Sequence, residues 1–354
     1  MKIAVYTIAL NESQFVNRWY ESAKEADYLL IADTGSTDGT QEIASKLDIN
    51  VYDISVKPWR FDVARNASLA LIPEDIDYCI ALDMDELLVP GWRSELEKAF
   101  KQGITRPRYT FTWNFTEEGN PGLQFSGEKI HTRHNYIWKH PVHEVVAPVH
   151  GFNEIQGSFN LEIHHKADNS KPRSQYLPLL KLSVIENPYN DRNAFYYARE
   201  LYFYGQYKEA IEEFKRHLEL PTALWKPERA ASMRYIAKMY TDFKTKEKWL
   251  LDAYKEDPTR REASVDLAEL YYSVQLWEEC LSSVNNALSI VEKPLDYLCE
   301  DFAWGFAIED YAALSYYNLG NRDKAIEHGE KAIALNPTEE RLKRNLEFYL
   351  SKEI

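Results

Sequence analysis

Cysteine is scarce in this chain. Three occur in 354 residues, Cys79, Cys280 and Cys299, far apart and without a C-x-x-C pair. That excludes a disulfide framework and points to reduced thiols in a reducing compartment. Long apolar runs are missing too: no segment approaches the roughly 20 apolar residues of a membrane helix. The opening stretch MKIAVYTIALNES has too short an apolar run for a secretory signal and no small-residue cleavage site. The expectation is a chain without a membrane span, working in the cytoplasm. Positive charge is also in short supply. The 42 Lys and Arg face 56 Asp and Glu, a formal net charge of −14. Binding nucleic acid regardless of sequence usually needs a basic face, so that class is disfavoured, although a local basic groove is compatible. What the chain does have is apolar and aromatic content, 45% and 14% with 24 Tyr, enough to bury a core in two or three domains.

The two halves follow different patterns. In residues 1–100, β-type apolar runs at 3–8, 28–33, 50–54 and 78–83 alternate with helical spacing at 13–24 and 36–47. Strands alternating with helices predict βαβ units and a mainly parallel sheet with flanking helices. From 106 to 165 short strand-like runs follow, separated by the turn cluster EEGNPG (117–122) and ending in FNLEIHH (159–165). The polar KADNSKPRS (166–174) reads as a linker, which gives domains 1–170 and 171–354. Beyond it the pattern is helical throughout. Ala198 and Ala313 occupy the small position of a first helix, and Ala210 and Ala325 follow twelve residues later on a second. Ala268, Cys280 and Ala287 fit the same plan, and 228–258 is a weaker copy ending at Pro258. This recurrence resembles a tetratricopeptide-repeat array, whose units must stack to bury their faces.

In open parallel sheets, ligands bind at the carboxyl ends of the strands. Four polar stretches fall there: NES (11–13), DTGSTDGT (33–40), RFDVARN (60–66) and DMDE (83–86). Asp33 ends a strand and can accept hydrogen bonds from a base or ribose; a turn or cap residue is its structural alternative. Asp83 and Asp85 follow an apolar run directly, and burying carboxylates is costly unless they are paired or hold a cation. A D-x-D at a strand end suits Mg²⁺ or Mn²⁺, with substrate phosphates completing the shell. The alternative is a solvated acidic helix start, favoured by the helix dipole. The segment 129–143 is locally basic, with Lys129, His131, Arg133, His134, Lys139, His140 and His143. It could face a donor diphosphate or a polyanionic acceptor; within it Arg133 is the best functional candidate, and Lys129 and Lys139 read as solvated.

In this order, ALNES, DTGSTDGT, WRFDVARN, ALDMDE and HPVHE resemble the family 2 glycosyltransferases of GT-A fold. With the helical region behind them, the chain is similar to the subgroup that includes bacterial peptide S-glycosyltransferases. The resemblance implies an α/β GT-A domain followed by an all-α tetratricopeptide-like domain. It implies an inverting, metal-dependent enzyme that uses a nucleotide sugar, a UDP-sugar in most members. Asn11 and Glu12 would border the nucleotide, and Asp33 would contact the base. Arg65 would approach the nucleotide or diphosphate, with Asp62 and Asn66 shaping that corner. Asp83 would sit on the ribose or metal side, Asp85 would coordinate the metal, and His165 (or its neighbour His164) would lie near metal or diphosphate. Met84 stands where many members have a small residue. Inversion needs a base on the acceptor side; Glu144 of VHE is the candidate, with His143 orienting it or contacting the diphosphate. The helical half is expected to position the acceptor, to build a homodimer, or both. A peptide, protein or glycan acceptor fits best, and a modified nucleic acid is left open. Two other readings compete: a repeat scaffold with a degenerate transferase domain, and a nucleotidyltransferase. The second lacks the Gly-rich basic signature for a triphosphate in TIALNES.

Overall fold

The computed structural model describes residues 1–116, 119–167 and 176–351. The chain forms two compact units, Met1–Ser183 and Val184–Ile354. The expected linker at 166–174 falls, from residue 168 on, outside the described residues, and so does the 170/171 boundary.

The first unit is an α/β fold. β1 (Ile3–Ala9), α1 (Val16–Ala23), β2 (Tyr28–Asp33), α2 (Thr40–Lys46), β3 (Asn50–Asp53), α3 (Phe61–Ala70) and β4 (Tyr78–Ala81) alternate as the sequence predicts. RFDVARN, read only as a polar stretch, forms the loop into α3 and its first turns. DMDE leads into the short strand β5 (Glu86–Leu88) and not into a helix. α4 (Trp92–Lys101), β6 (Arg106–Thr112), β7 (Gln124–Gly127), β8 (Ile130–Thr132), β9 (Tyr136–Lys139), β10 (Val145–Pro148), β11 (Gln156–His165) and α5 (Tyr176–Glu186) follow. The main sheet runs β3-β2-β1-β4-β8. Its first four strands are parallel, and β8 closes the edge antiparallel to β4. Ile3, Val5, Ile31 and Ile80 point into one apolar core; Ala4, Tyr6, Leu30 and Ala81 point into another on the opposite face. Both faces are therefore covered, which explains why these strands read as continuous apolar runs. A second sheet, β5-β11-β6-β7, brings the end of β11 beside β5, with His165 opposite Glu86.

The second unit stacks antiparallel helix pairs: α6 (Asp191–Phe203) with α7 (Tyr207–Glu219), α8 (Lys226–Met239) with α9 (Phe243–Glu256), α10 (Glu262–Ser273) with α11 (Trp277–Leu288), and α12 (Ala307–Asn318) with α13 (Arg322–Leu335). α14 (Glu340–Leu350) packs on α13. Ala198, Ala210, Ala268, Cys280, Ala287, Ala313 and Ala325 are all buried where paired helices approach. Gly205, Gln275 and Gly320 each stand seven residues after one of the small alanines, and each has positive φ (72°, 61° and 81°). The left-handed residue lets the chain reverse into the second helix of a pair. The segment between α11 and α12, residues 289–306, departs from the repeat plan. It folds back as a strap, with a single 3₁₀ turn at Asp301–Trp304. Ion pairs tie it to two earlier pairs, Arg234–Glu300 and Arg260–Asp296.

Candidate active site

The carboxyl ends of β1 and β2 are stitched together by their own loops. Asn11, in a left-handed conformation (φ 56°), gives its N–H to Ser36 Oγ, and its side-chain oxygen accepts the Thr37 N–H, both at 2.8 Å. The Glu12 N–H reaches Thr40 Oγ1, and the Ser13 N–H reaches Asp38. NES and DTGSTDGT therefore form one hydrogen-bonded platform. Asp33 lies at its base, fully buried. Its Oδ1 accepts the N–H groups of Gly35 and Ser36 and the Gln41 amide, at 2.7–2.9 Å. Its Oδ2 is buried with no partner among the described residues. Burial opposes ionisation, yet the Ser36, Gln41 and Gly35 donors hold this carboxyl below its usual range. An orphaned buried carboxylate oxygen calls for a donor from a ligand. Gln41 also bridges to Asp53, the residue opposite Asp33 on β3.

Past the end of β4, Asp83 is gripped from both sides. Arg65 Nη2 donates to its Oδ1 at 2.8 Å, and Lys129 Nζ to its Oδ2 at 2.9 Å. Lys129 also binds Glu86, and the Asp83 N–H donates to Glu86 at 3.0 Å. Burial raises the Glu86 carboxyl, with nearby Asp83 adding to that and Lys129 opposing it. Burial pushes on Asp83 in the same way, but Arg65 and Lys129 outweigh it and hold Asp83 well below the ordinary carboxylate range. Arg65 is the hub. It rises from α3, lies over the Trp138 ring at 4.9 Å, and gives its Nε–H to Glu144 Oε1. Its Nη1 is buried without a partner among the described residues. One guanidinium thus joins the D-x-D carboxylate to the expected base.

Asp85 faces a different neighbour. Its Oδ2 lies 3.4 Å from His165 Nε2. His165 stacks on Trp113 (4.4 Å between rings), and its Nδ1 lies 3.0 Å from the Trp113 carbonyl. That carbonyl takes the ring's Nδ1–H, leaving the Nε2 lone pair aimed at the Asp85 side. His164 is turned the other way, as strand alternation requires, and sits 2.9 Å from Glu162 beside Phe115. Burial works against protonation of His165, but the Asp85 carboxylate outweighs it and raises the imidazole pKa. No group of three His, Cys, Asp or Glu among the described residues could hold an ion alone. One carboxylate and one imidazole fit a divalent cation whose remaining oxygens come from substrate and water.

Two expectations for this corner change, and a third shifts in emphasis. Asp83 was expected on the ribose or metal side; both its oxygens are engaged by cations, while Asp85 and His165 form the pair that could take an ion. Arg133, expected at a diphosphate, lies at the opposite end of the sheet. β8 runs antiparallel to β4, so Lys129 comes level with the carboxyl end of β4 while Arg133 falls beside Asp77, at its amino end. There the guanidinium satisfies the Ile72 and Pro73 carbonyls. Lys129, read as solvated, is the basic residue of this segment that reaches the carboxylates. Asp62, in the first turn of α3, is held by Arg60 at 2.9–3.0 Å and shapes the loop before the helix. The Asn66 amide pairs with the Trp138 main chain and docks α3 on β9. His143 has positive φ (49°), and its ring packs against Tyr176 of α5. Trp138 and Trp113 carry no sequence signal of their own, and the acidic and basic stretches that hold Glu86 and Lys129 do not say that the two meet. Their placement depends on how β8 is laid beside β4, β9 beside β10 and β6 beside β11.

Residues 4–150 match the family model described as Glycosyl transferase family 2, and residues 310–339 match that of the Tetratricopeptide repeat. No curated protein matches the chain. Solved structures that resemble it include PilF of Pseudomonas aeruginosa, 12% identical, covering 50% of this chain and 72% of that one, with a TM-score of 0.39. The tetratricopeptide protein TTC0263 of Thermus thermophilus is 19% identical, covering 49% and 88%, with a TM-score of 0.33. MamA of Desulfovibrio magneticus is 15% identical, covering 47% and 86%, with a TM-score of 0.35.

Proposed function

We propose that this chain, whose residues 4–150 match the Glycosyl transferase family 2 model, is an inverting, metal-dependent transferase that moves a sugar from a nucleotide-diphosphate sugar to an acceptor held by the helical repeats. The observation that carries this reading is the double grip of Arg65 on Asp83 and Glu144 at the carboxyl edge of the sheet. Asp33 Oδ2, lacking a partner, receives an N–H from the base; the imide of uracil supplies one, which favours a UDP-sugar. Asn11 and Glu12 hold the loop against which the nucleotide lies. Asp83 presents its remaining lone pairs to the ribose. Asp85 and His165 would hold Mn²⁺ or Mg²⁺, which would supply charge neutralisation for the leaving diphosphate. Arg65, whose Nη1 is left over, shares that diphosphate. Glu144 accepts the proton of the attacking acceptor atom as the new glycosidic bond forms and the bond from the anomeric carbon to the diphosphate breaks. No helix among the described residues is long and apolar enough to cross a membrane, and a cytoplasmic peptide, protein or glycan is the acceptor this reading favours.

The test is calorimetric titration of UDP, GDP and their sugars with and without Mn²⁺. Metal-enhanced binding of one nucleotide, lost in Asp85→Ala and kept in Glu144→Gln while transfer stops, is the expected outcome. A folded chain that binds no nucleotide would leave the repeats as a scaffold. Release of pyrophosphate in place of a nucleoside diphosphate would make the enzyme a nucleotidyltransferase.

A further inference from the structure

Four carboxylates gather at the carboxyl edge of the sheet, Asp83, Asp85, Glu86 and Glu144, and two side-chain cations, Arg65 and Lys129, stand among them. Negative charge left over in a partly buried corner draws in a cation. The surplus is unevenly spread. Asp83 has a cation on each oxygen, Arg65 Nη2 at 2.8 Å and Lys129 Nζ at 2.9 Å, and Glu86 takes a further N–H of the same Lys129 at 2.5 Å. Asp85 has the His165 imidazole 3.4 Å away and no lysine or arginine paired with it among the described residues. The first carboxylate of the D-x-D has its cation built in, and the second has not.

Lys129 is fixed in place from several sides. Its carbonyl accepts the Ala81 N–H at 3.1 Å, at the end of β4, and its N–H donates to the Tyr109 hydroxyl at 3.3 Å. Its ammonium lies 5.8 Å from the centre of the Phe111 ring, and His165 stacks on that ring at 6.1 Å. Phe111 therefore carries both the lysine cation and the imidazole beside Asp85. A fixed ammonium there acts on a divalent ion in two ways. It holds a lone pair of Asp83 that the ion would otherwise take, and it repels the ion's charge at short range. Both weaken binding of the bare ion. A donor's diphosphate changes the balance, because it brings oxygens and negative charge of its own. The Asp83 side chain stays 31% exposed with both oxygens held, so a ligand reaches it while Lys129 keeps it in place. On the reading of Asp85 and His165 as the ion's protein ligands, we propose that Lys129 is a positioning residue that acts through Asp83 as a tethered cation, keeping the D-x-D from taking a divalent ion alone and making the ion's entry depend on the nucleotide's diphosphate. Ion and nucleotide then bind as a pair, each tightening the other by the same factor.

Mn²⁺ binding is read on the full chain from the loss of the free ion's electron paramagnetic resonance signal, without nucleotide and with saturating UDP (or the nucleoside diphosphate that calorimetry selects). In the wild-type chain UDP is expected to tighten Mn²⁺ about tenfold or more. In Lys129→Met, Mn²⁺ alone is expected to bind about tenfold tighter than in the wild type, because Asp83 is freed for the ion. UDP titrated into the same variant in EDTA binds more weakly, because Asp83 loses its support towards the nucleotide. The two shifts have opposite signs, whereas a site that merely loosens weakens both. Lys129→Arg keeps bare Mn²⁺ binding weak. Lys139→Met, which removes the same charge from an exposed position of the same segment, changes neither reading. Should Lys129→Met lose its near-ultraviolet circular dichroism, Lys129→Gln is read in its place. Equal Mn²⁺ affinity of the wild-type chain with and without UDP overturns the proposal, as does unchanged or weaker Mn²⁺ binding in the variant. Mn²⁺ bound by neither chain, with or without nucleotide, overturns the metal reading itself and the role of Lys129 with it.

Discussion

Arg65 holds two carboxylates with one side chain, Asp83 through Nη2 and Glu144 through Nε, while its plane rests on Trp138. A lysine places one charge at one point and cannot span both. Arg65→Lys is therefore expected to lose one charge-assisted hydrogen bond, worth about 1.5–3 kcal/mol, and to lower kcat/KM roughly ten- to hundredfold. Unchanged steady-state rates with a fixed acceptor would remove Arg65 from its central place. Arg65→Met, which takes this cation from Glu144 and leaves Asp83 to Lys129, is expected to cost about 3–5 kcal/mol in denaturant unfolding. The contrast between Lys129 and Arg133 shows where residue-level reading stops. They lie in one basic segment, four residues apart, and nothing in their spacing says which reaches the site. The answer comes from β8 running antiparallel to β4 and from where along β4 each residue falls. Asp33, Asp85, Glu144 and Arg65 stand out as candidates in the sequence because each sits at a strand end or in one of the ordered motifs.

At the scale of elements, the βαβ alternation and the paired helices were visible in the sequence. A strand buried on both faces leaves an unbroken apolar run, and a repeat leaves its period. RFDVARN hid its helix because the charged Arg60, Asp62 and Arg65 face partners inside the fold and blur the apolar stripe. The period also exposes a flaw. Gln275 takes the left-handed turn that Gly205 and Gly320 take in the equivalent repeats. A side chain there costs about 1 kcal/mol relative to glycine. Gln275→Gly is expected to raise the unfolding free energy of the helical unit by about that amount, and a lower melting temperature would contradict it. Gly127 makes the opposite case. A Cβ there would run into the Tyr109 ring, and the Tyr109 hydroxyl accepts the Lys129 N–H. Gly127→Ala is expected to displace Tyr109 and weaken nucleotide binding through Lys129, seen as a higher Kd for the bound nucleotide at unchanged helical signal.

At the scale of the whole molecule, each unit buries one neutral histidine. In the first, burial pushes the His131 pKa down to about 4, with Arg106 and Arg133 adding and the Thr132 carbonyl opposing. In the second, burial with Arg229 and Arg216 pushes His217 down to about 4. Both start from an ordinary value of 6.5. The unfolded chain takes up these protons below that value and the folded chain does not, so their stability contribution is full above pH 6.5. It is lost as pH falls through 6.5 towards 4, by up to about 3 kcal/mol for each group. His131→Gln and His217→Gln are each expected to flatten the pH dependence of melting in their own unit over that window, and a slope unchanged in both would refute the assignment.

The strap bears on how the second unit comes apart. A regular repeat array behaves as a row of neighbours, and each repeat can be removed at the cost of one interface. Here residues late in the chain supply Asp296 and Glu300 to the arginines of α8 and the turn before α10. The array has been given a clasp that runs from the end of its third helix pair back across the earlier ones. Shortening it from the carboxyl side far enough to remove residues 289–306 would loosen pairs that the cut never touches, so the first three pairs are expected to melt together and not link by link.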